Sequence, residues 1–170
     1  MNYKGSLFFL GFNMYYPSLD TVKGMASQGN LVPIYREIDA DLETPVSAYL
    51  KVANSPYSFL LESVEGGEKL ARYSFIGTDP YSVLQTKFTQ SDSIQDPLIP
   101  IQKELGQYRL VNIPELPQFH GGAVGYIAYD VIRHFESTVE IPTKDTLGLP
   151  ESVFMFVDTI LIFDHLRHSI

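Results

Sequence analysis

The chain has no cysteine among its 170 residues, so a disulfide framework and a thiolate zinc site are both excluded. Positive charge is also scarce, because 12 lysines and arginines stand against 20 aspartates and glutamates, for a formal net charge of −8. An acidic surface repels phosphate backbones, so nucleic acid is not an expected partner. The apolar run at residues 7–12 is far shorter than the ~20 residues of a membrane-spanning helix, so a membrane is not expected either.

Aromatic and aliphatic residues are abundant and favour a packed interior. Hydrophobic residues make up 45% of the chain, with 11 tyrosines and 11 phenylalanines, and the length suits one domain. Residues 1–30 are assigned to an unmatched leader that is a candidate for disorder, with Met25 as a second candidate start. Residues 31–170 are assigned to the folded domain. A cytoplasmic location is the default expectation, because no small-residue cleavage site follows the early apolar run.

The residue pattern predicts an α+β fold made mostly of antiparallel sheet with short helices. One helix is predicted to begin at Pro45 with Thr44 as its cap, and another covers residues 97–107. The residues predicted to form the buried face of the first helix are Val46, Tyr49, Leu50 and Ala53.

Five segments are predicted to be strands. Residues 57–64, 70–76 and 81–88 are separated by turns and are expected to form an antiparallel meander. The glycine-rich run 121–129 and the apolar run 152–163 are each predicted to be one strand covered on both faces. Because such strands need more protein around them, the chain is expected to be a fragment of a longer protein.

Several patterns that could carry chemistry are better explained as structure. The GGxxG at residues 121–125 matches neither the P-loop nor the dinucleotide-binding fingerprint. His165 and His168 follow a strand, where residues three apart point to opposite faces, so no metal site is predicted. Asp158 and Asp164 are too far apart along a strand for paired acid–base catalysis, and they are predicted to be a turn residue and an end-of-strand cap. No catalytic residue and no cofactor are predicted in this chain.

The segment Leu60-Leu61-Glu62-Ser63 is the strongest candidate for a binding site. An apolar strand ends there in a carboxylate and a hydroxyl, and Arg72 lies on the returning strand. A carboxylate suits an ammonium, donors suit a carboxyl group, and the apolar wall suits a side chain, so the group fits an amino acid. The same spacing also fits an ordinary hairpin in which Glu62 and Arg72 form a surface ion pair.

Four stretches of the chain, in order, resemble anthranilate synthase component I, the large subunit of that enzyme. They are TPVSAYLK (44–51), LLES with ARYSFIG (60–63 and 71–77), GGAVGY (121–126) and DTILIFDH (158–165). The resemblance covers about residues 31–170 and implies the N-terminal part of that family's α/β sandwich.

The resemblance also implies a function. The family converts chorismate and ammonia to anthranilate, the first committed step of tryptophan biosynthesis, with Mg²⁺ and a glutamine amidotransferase subunit (component II) as partner. Tryptophan inhibits the family at a site centred on the Leu-Leu-Glu-Ser segment. Leu61, Glu62, Ser63 and Arg72 are therefore implied to contact L-tryptophan.

The family's chorismate- and magnesium-binding residues belong to a C-terminal catalytic domain that this sequence does not include. The other half of the tryptophan pocket, an Asn-Pro-x-Pro-Tyr motif, lies there too. The chain alone is therefore expected to be inactive and to bind tryptophan weakly or not at all. Two other assignments remain open: the large subunit of aminodeoxychorismate synthase, which resembles this family, and a stand-alone amino-acid-binding module or inert truncated product.

Overall fold

Two antiparallel three-stranded sheets carry the fold. The structure, a computed structural model, describes residues 14–62, 72–87, 96–136, 138–139 and 147–170. The helices of this part of the chain are α1 (Leu19–Met25), α2 (Pro45–Val52), α3 (Ile99–Leu105) and a 3₁₀ helix (Tyr129–His134). Its strands are β1 (Ser58–Leu61), β2 (Tyr73–Thr78), β3 (Ser82–Thr86), β4 (Gly122–Ile127), β5 (Ser152–Val157) and β6 (Ile160–Asp164). The predicted α+β class is confirmed.

The strand order is β1-β2-β6 in the first sheet and β3-β5-β4 in the second. The predicted hairpin of β1 and β2 is confirmed, with Leu61 opposite Phe75. The predicted meander is wrong in its third strand, because β3 leaves the hairpin and pairs with β5 in the second sheet. The glycines and the proline of these turns indicate where strands end but carry no information on which strand is the next neighbour.

The apolar run at residues 152–163 is two strands in two different sheets, so the prediction of a single strand is wrong. Asp158 and Thr159 are exposed and separate β5 from β6. Phe156 is buried in the second sheet, and Phe163 is buried in the first. The run is apolar along both strands because each strand packs within its own sheet. Only Asp158 and Thr159 mark the passage of the chain from one sheet to the other.

Strand β4 lies at the edge of the second sheet, and its second half is exposed. The prediction that it is covered on both faces is therefore wrong. Residues 125–127 are exposed. The predicted close approach of backbones is nevertheless present at Gly125, where an added Cβ would overlap the carbonyl oxygen of Val153. The small residues of this run therefore allow close contact between β4 and β5. They do not indicate that both faces of β4 are buried.

Helix α2 packs on the first sheet and supplies part of its core. Thr44 accepts a hydrogen bond from the backbone N–H of Ser47 at 3.0 Å, and the Ser47 hydroxyl accepts one from the N–H of Thr44, so the predicted cap is confirmed. The buried cluster joins α2 to the sheet through Ala40, Ala48, Ile76 and Phe163.

The buried face of α2 differs from the prediction. Val46 and Leu50 are 48% and 75% exposed. The face that meets the sheet is formed by Pro45, Ala48, Tyr49 and Val52. These residues have the same three-and-four spacing as the predicted face but begin one residue earlier, and periodicity alone does not set the phase.

Helix α3 is confirmed within shorter bounds than predicted, and it packs against β4. Regular structure begins before the predicted start of the folded domain at Leu31. Helix α1 precedes that residue, with Ser18 as its N-cap. Tyr16 and Tyr35 also exchange two backbone hydrogen bonds of 2.7 Å. Residues 1–13 lie outside the described residues. Among the residues described, none of the helices combines the length and apolar character needed to cross a membrane.

Two glycine substitutions test the contact between β4 and β5. Gly125→Ala is expected to lower the free energy of unfolding by about 1–3 kcal/mol, because the new Cβ meets backbone that cannot move aside. Gly24→Ala is the matched control, because nothing lies within 4 Å of its added Cβ in α1. It is expected to stabilise the chain by about 0.5–1 kcal/mol. Urea unfolding of both variants measures the difference, and equal stabilities would contradict the described strand pairing.

Candidate functional site

The predicted tryptophan-binding segment lies where β1 ends. Leu61 is the last residue of β1 and is 43% exposed, and Glu62 after it is exposed. Ser63 lies outside the described residues. The paired register ends with Leu61 opposite Phe75, so Glu62 lies just beyond β1. Arg72 lies immediately before β2, at the same end of the hairpin.

Arg72 is held by a carboxylate that the hairpin does not supply. Its Nε lies 3.1 Å and 3.2 Å from the two carboxylate oxygens of Asp164, and its Nη2 donates a further hydrogen bond to the same group. The alternative of a surface ion pair between Glu62 and Arg72 is therefore wrong about the partner. The pairing of Tyr73 with Asp164 across β2 and β6 brings the two charges together from 92 residues apart.

Asp164 also terminates β6. Its carboxylate accepts hydrogen bonds from the backbone N–H groups of Leu166 at 3.0 Å and Arg167 at 3.2 Å. The predicted roles of Asp164 as an end-of-strand cap and of Asp158 as a turn residue are confirmed. Burial acts to raise the pKa of Asp164, but the hydrogen bonds from Arg72 and from the two backbone groups outweigh it, so the pKa is lowered. The same hydrogen bond raises the pKa of Arg72.

The guanidinium of Arg72 is fixed on two sides. Its central carbon lies 4.8 Å from the ring centroid of Tyr73, a distance typical of a cation–π contact. The hydrogen bonds to Asp164 use Nε and Nη2, while Nη1 makes no hydrogen bond with a described residue. With its side chain 30% exposed, Arg72 therefore presents an oriented donor at the surface.

Ser74 and His165 form a pair that resembles part of a hydrolytic site. The Ser74 hydroxyl lies 2.8 Å from Nε2 of His165. Ser74 is only 2% exposed, so a substrate has no access to its oxygen, and the His165 ring stacks on Phe163. The contact therefore ties β2 to the turn after β6. Within the described part of the chain, no group of three or more His, Asp or Glu residues is placed to hold a metal ion.

A buried cluster of charged residues was missed by the sequence analysis. Glu151, immediately before β5, pairs with Arg133 through one carboxylate oxygen and lies 3.0 Å from Nε2 of His134 through the other. Burial, and then the charge of Arg133, lower the pKa of His134. The cluster joins the 3₁₀ helix to β5, and no residue spacing in the sequence indicates that these three side chains meet.

A cavity of about 640 Å³ was likewise not predicted from the sequence. It lies between residues 31–34, the start of β3, the end of α3, and the adjoining ends of β4 and β5. None of Leu61, Glu62 and Arg72 lines it. The described structure thus holds two separate places with exposed functional groups, one at the end of β1 and one in this cavity.

Comparison with known proteins gives the family. No family model matches the chain. Anthranilate synthase component 1 of Acetivibrio thermocellus is 44% identical over 167 residues, which is 92% of this chain. A probable anthranilate synthase component 1 of Schizosaccharomyces pombe is 44% identical over 91% of the chain, and the Saccharomyces cerevisiae protein is 41% identical over 88%. The chain belongs to the anthranilate synthase component I family.

The chain spans about a third of the length of these relatives, 34% of the A. thermocellus protein and 31% of each yeast protein. Residues 31–170 are 140 of the 170 residues, so a match over 92% of the chain includes part of the first thirty. A crystal structure of anthranilate synthase component I from Streptococcus pneumoniae TIGR4 is 27% identical, with a TM-score of 0.47 over 77% of this chain and 29% of that one.

Replacing Asp164 tests its pairing with Arg72. The folded-state pKa of Asp164 is below its ordinary value of 3.8. The stability that this ionised group contributes is therefore present above about pH 3.8 and is lost as the pH falls through the lowered pKa. Asp164→Asn is expected to destabilise the chain at pH 7. It should also make the free energy of unfolding depend less steeply on pH on the acid side. The reduction corresponds to up to about one proton taken up on unfolding.

Unfolding midpoints measured between pH 2 and pH 7 give that slope. Glu37→Gln is the control, because the ion pair of Glu37 with Arg167 is 3.5 Å long and both side chains are exposed. Exposed pairs contribute little, so this variant should follow the parent chain. An acid-side slope that Asp164→Asn leaves unchanged would show that Asp164 is not stabilised in its ionised form.

Proposed function

We propose that the chain is the N-terminal regulatory portion of an anthranilate synthase large subunit and carries part of the tryptophan feedback-inhibition site. One observation carries the proposal: the oriented, partly exposed guanidinium of Arg72 stands beside the strand end that delivers Glu62. A carboxylate and a guanidinium at the same end of a hairpin suit the two charged groups of an amino acid. The family membership supports the same assignment.

Each residue of the proposed site has a separate role. Glu62 binds the ammonium group of tryptophan, and Arg72 donates through Nη1 to its carboxylate while Asp164 and Tyr73 hold the guanidinium in place. Ser63 supplies a hydroxyl to the same carboxylate, and Leu61 contributes apolar contact. Because Glu62 is exposed, closure of the pocket over tryptophan needs protein beyond these residues.

The activity of the whole protein is part of the proposal. Chorismate and ammonia, the latter from a glutamine amidotransferase subunit (component II), are converted to anthranilate in the cytoplasm as the first committed step of tryptophan biosynthesis. The names of the relatives support this branch over aminodeoxychorismate synthesis. In the proposed whole protein, Mg²⁺ belongs to the C-terminal catalytic domain.

The chain alone is expected to make no anthranilate. Incubation with chorismate, Mg²⁺ and ammonium, followed by anthranilate fluorescence, measures this directly. The A. thermocellus relative under the same conditions is the positive control, since it bears the name of the activity. Fluorescence from this chain above the blank would refute the proposal that catalysis needs the rest of the protein.

The tryptophan site is tested in a chimaera in which this chain replaces the matching third of the A. thermocellus protein. Glu62→Gln is expected to raise the tryptophan concentration for half inhibition roughly tenfold or more, because it removes a charge-assisted hydrogen bond. Ser63→Phe is expected to relieve inhibition by filling the pocket. Both variants should keep the uninhibited rate of anthranilate formation.

Glu115→Gln is the matched control, because Glu115 is also an exposed glutamate but belongs to neither strand of the hairpin. It is expected to leave inhibition unchanged. Tryptophan inhibition that survives both Glu62→Gln and Ser63→Phe at parental strength would remove the assignment of this segment.

A further inference from the structure

We propose that the cavity between β3, α3 and the β4–β5 pair binds a small molecule with a flat apolar body and one protonated amine. The site is separate from the proposed tryptophan site, since none of Leu61, Glu62 and Arg72 lines it. Its volume of about 640 Å³ is within the roughly 300–1,000 Å³ of small-molecule sites.

The walls of the cavity are held in place by backbone hydrogen bonds. The N–H of Val111 donates to the carbonyl of Leu31 at 2.8 Å, which ties the segment before Ile34 to the chain after α3. The N–H of Tyr81 donates to the carbonyl of Phe156 at 3.0 Å, and Gly122 pairs with Val157. A site with fixed walls loses little conformational entropy when a ligand enters.

The lining is largely apolar and open to solvent. Four large side chains of the lining remain between 39% and 56% exposed, and they are Leu31, Ile34, Leu105 and Leu110. Exposed apolar area of this kind in a concave site favours a ligand that removes it from water. A flat apolar body between these walls does so.

The polar groups of the cavity favour a cation. Asp158 is the acidic residue of the lining, and neither lysine nor arginine is among the described residues that line it. His120 also lines the cavity, with its Nδ1 2.7 Å from the carbonyl oxygen of Pro117. The Asp158 carboxylate is exposed, and its Oδ1 accepts a hydrogen bond from the Thr159 hydroxyl at 3.1 Å. The second oxygen remains available to an ammonium group.

Two tyrosines add to this preference. Tyr81 and Tyr108 line the cavity, and their ring faces attract cations. Burial, followed by the hydrogen bond to Tyr108, raises the pKa of Tyr81. A carboxylate on the ligand would be repelled by Asp158. The cavity therefore selects an amine without a carboxylate, unlike the zwitterion proposed for the end of β1.

Three probes of one shape and different charge test the proposal on the 170-residue chain. They are 2-phenylethylamine, 2-phenylethanol and phenylacetate, and binding is followed by shifts of the amide signals of the lining residues in ¹⁵N-labelled protein. The amine is expected to bind about fivefold more tightly than the alcohol, as for one ion pair close to solvent. Phenylacetate is expected to bind most weakly.

Two variants with matched controls locate the effect. Asp158→Asn should bring the amine and the alcohol to equal affinity. Asp130→Asn should not, because Asp130 is an exposed residue outside the lining. Ile34→Trp should abolish binding of both by filling the cavity. Ile99→Trp should leave it intact, because Ile99 is also 56% exposed but does not line the cavity. Absence of shifts at lining residues, or equal binding of amine and phenylacetate, would overturn the proposal whatever the outcome for tryptophan.

Discussion

The segment from Ser152 to Asp164 is the constraint on which the rest of the described structure depends. It is the central strand of the second sheet and then, after two residues, an edge strand of the first. Phe156 and Phe163 are buried one in each sheet, so both cores are anchored to a single stretch of chain. Only Asp158 and Thr159 separate the two strands, and residues 79–81 make a second short connection between the sheets, from β2 to β3.

This segment also delivers the charged groups of both proposed sites. Asp164 orients Arg72 at the end of the first sheet, and Asp158 faces the cavity beside the second. In each proposed site one carboxylate sets the local charge. Asp164 neutralises and fixes the guanidinium of Arg72, while Asp158 stays exposed beside the cavity. Asp158 precedes β6 and Asp164 ends it, so the two proposed sites lie at opposite ends of that strand.

The ion pairs of the chain divide by burial. Arg72 with Asp164, and Arg133 with Glu151, join segments far apart in sequence, and their side chains are mostly withdrawn from solvent. The pair of Lys23 with Asp20 lies within one helix and is almost fully exposed. Exposed pairs contribute little to stability, whereas breaking a withdrawn pair leaves a poorly solvated charge. The withdrawn pairs therefore join segments of the two sheets and the 3₁₀ helix, and Arg72, which we propose to bind tryptophan, is a member of one of them.

Local signals in the sequence were sufficient for the elements whose contacts are local. Thr44 and Pro45 predicted α2, the glycine turn predicted the hairpin of β1 and β2, and the position of Asp164 predicted a cap. Each of these features depends on neighbours within a few residues. The tertiary structure alone decided the phase of α2, the sheet that receives β3, and the partner of Arg72. Each of these depends on pairing between residues far apart in the chain, such as Tyr73 with Asp164, and residue spacing along one segment holds no record of what lies across from it.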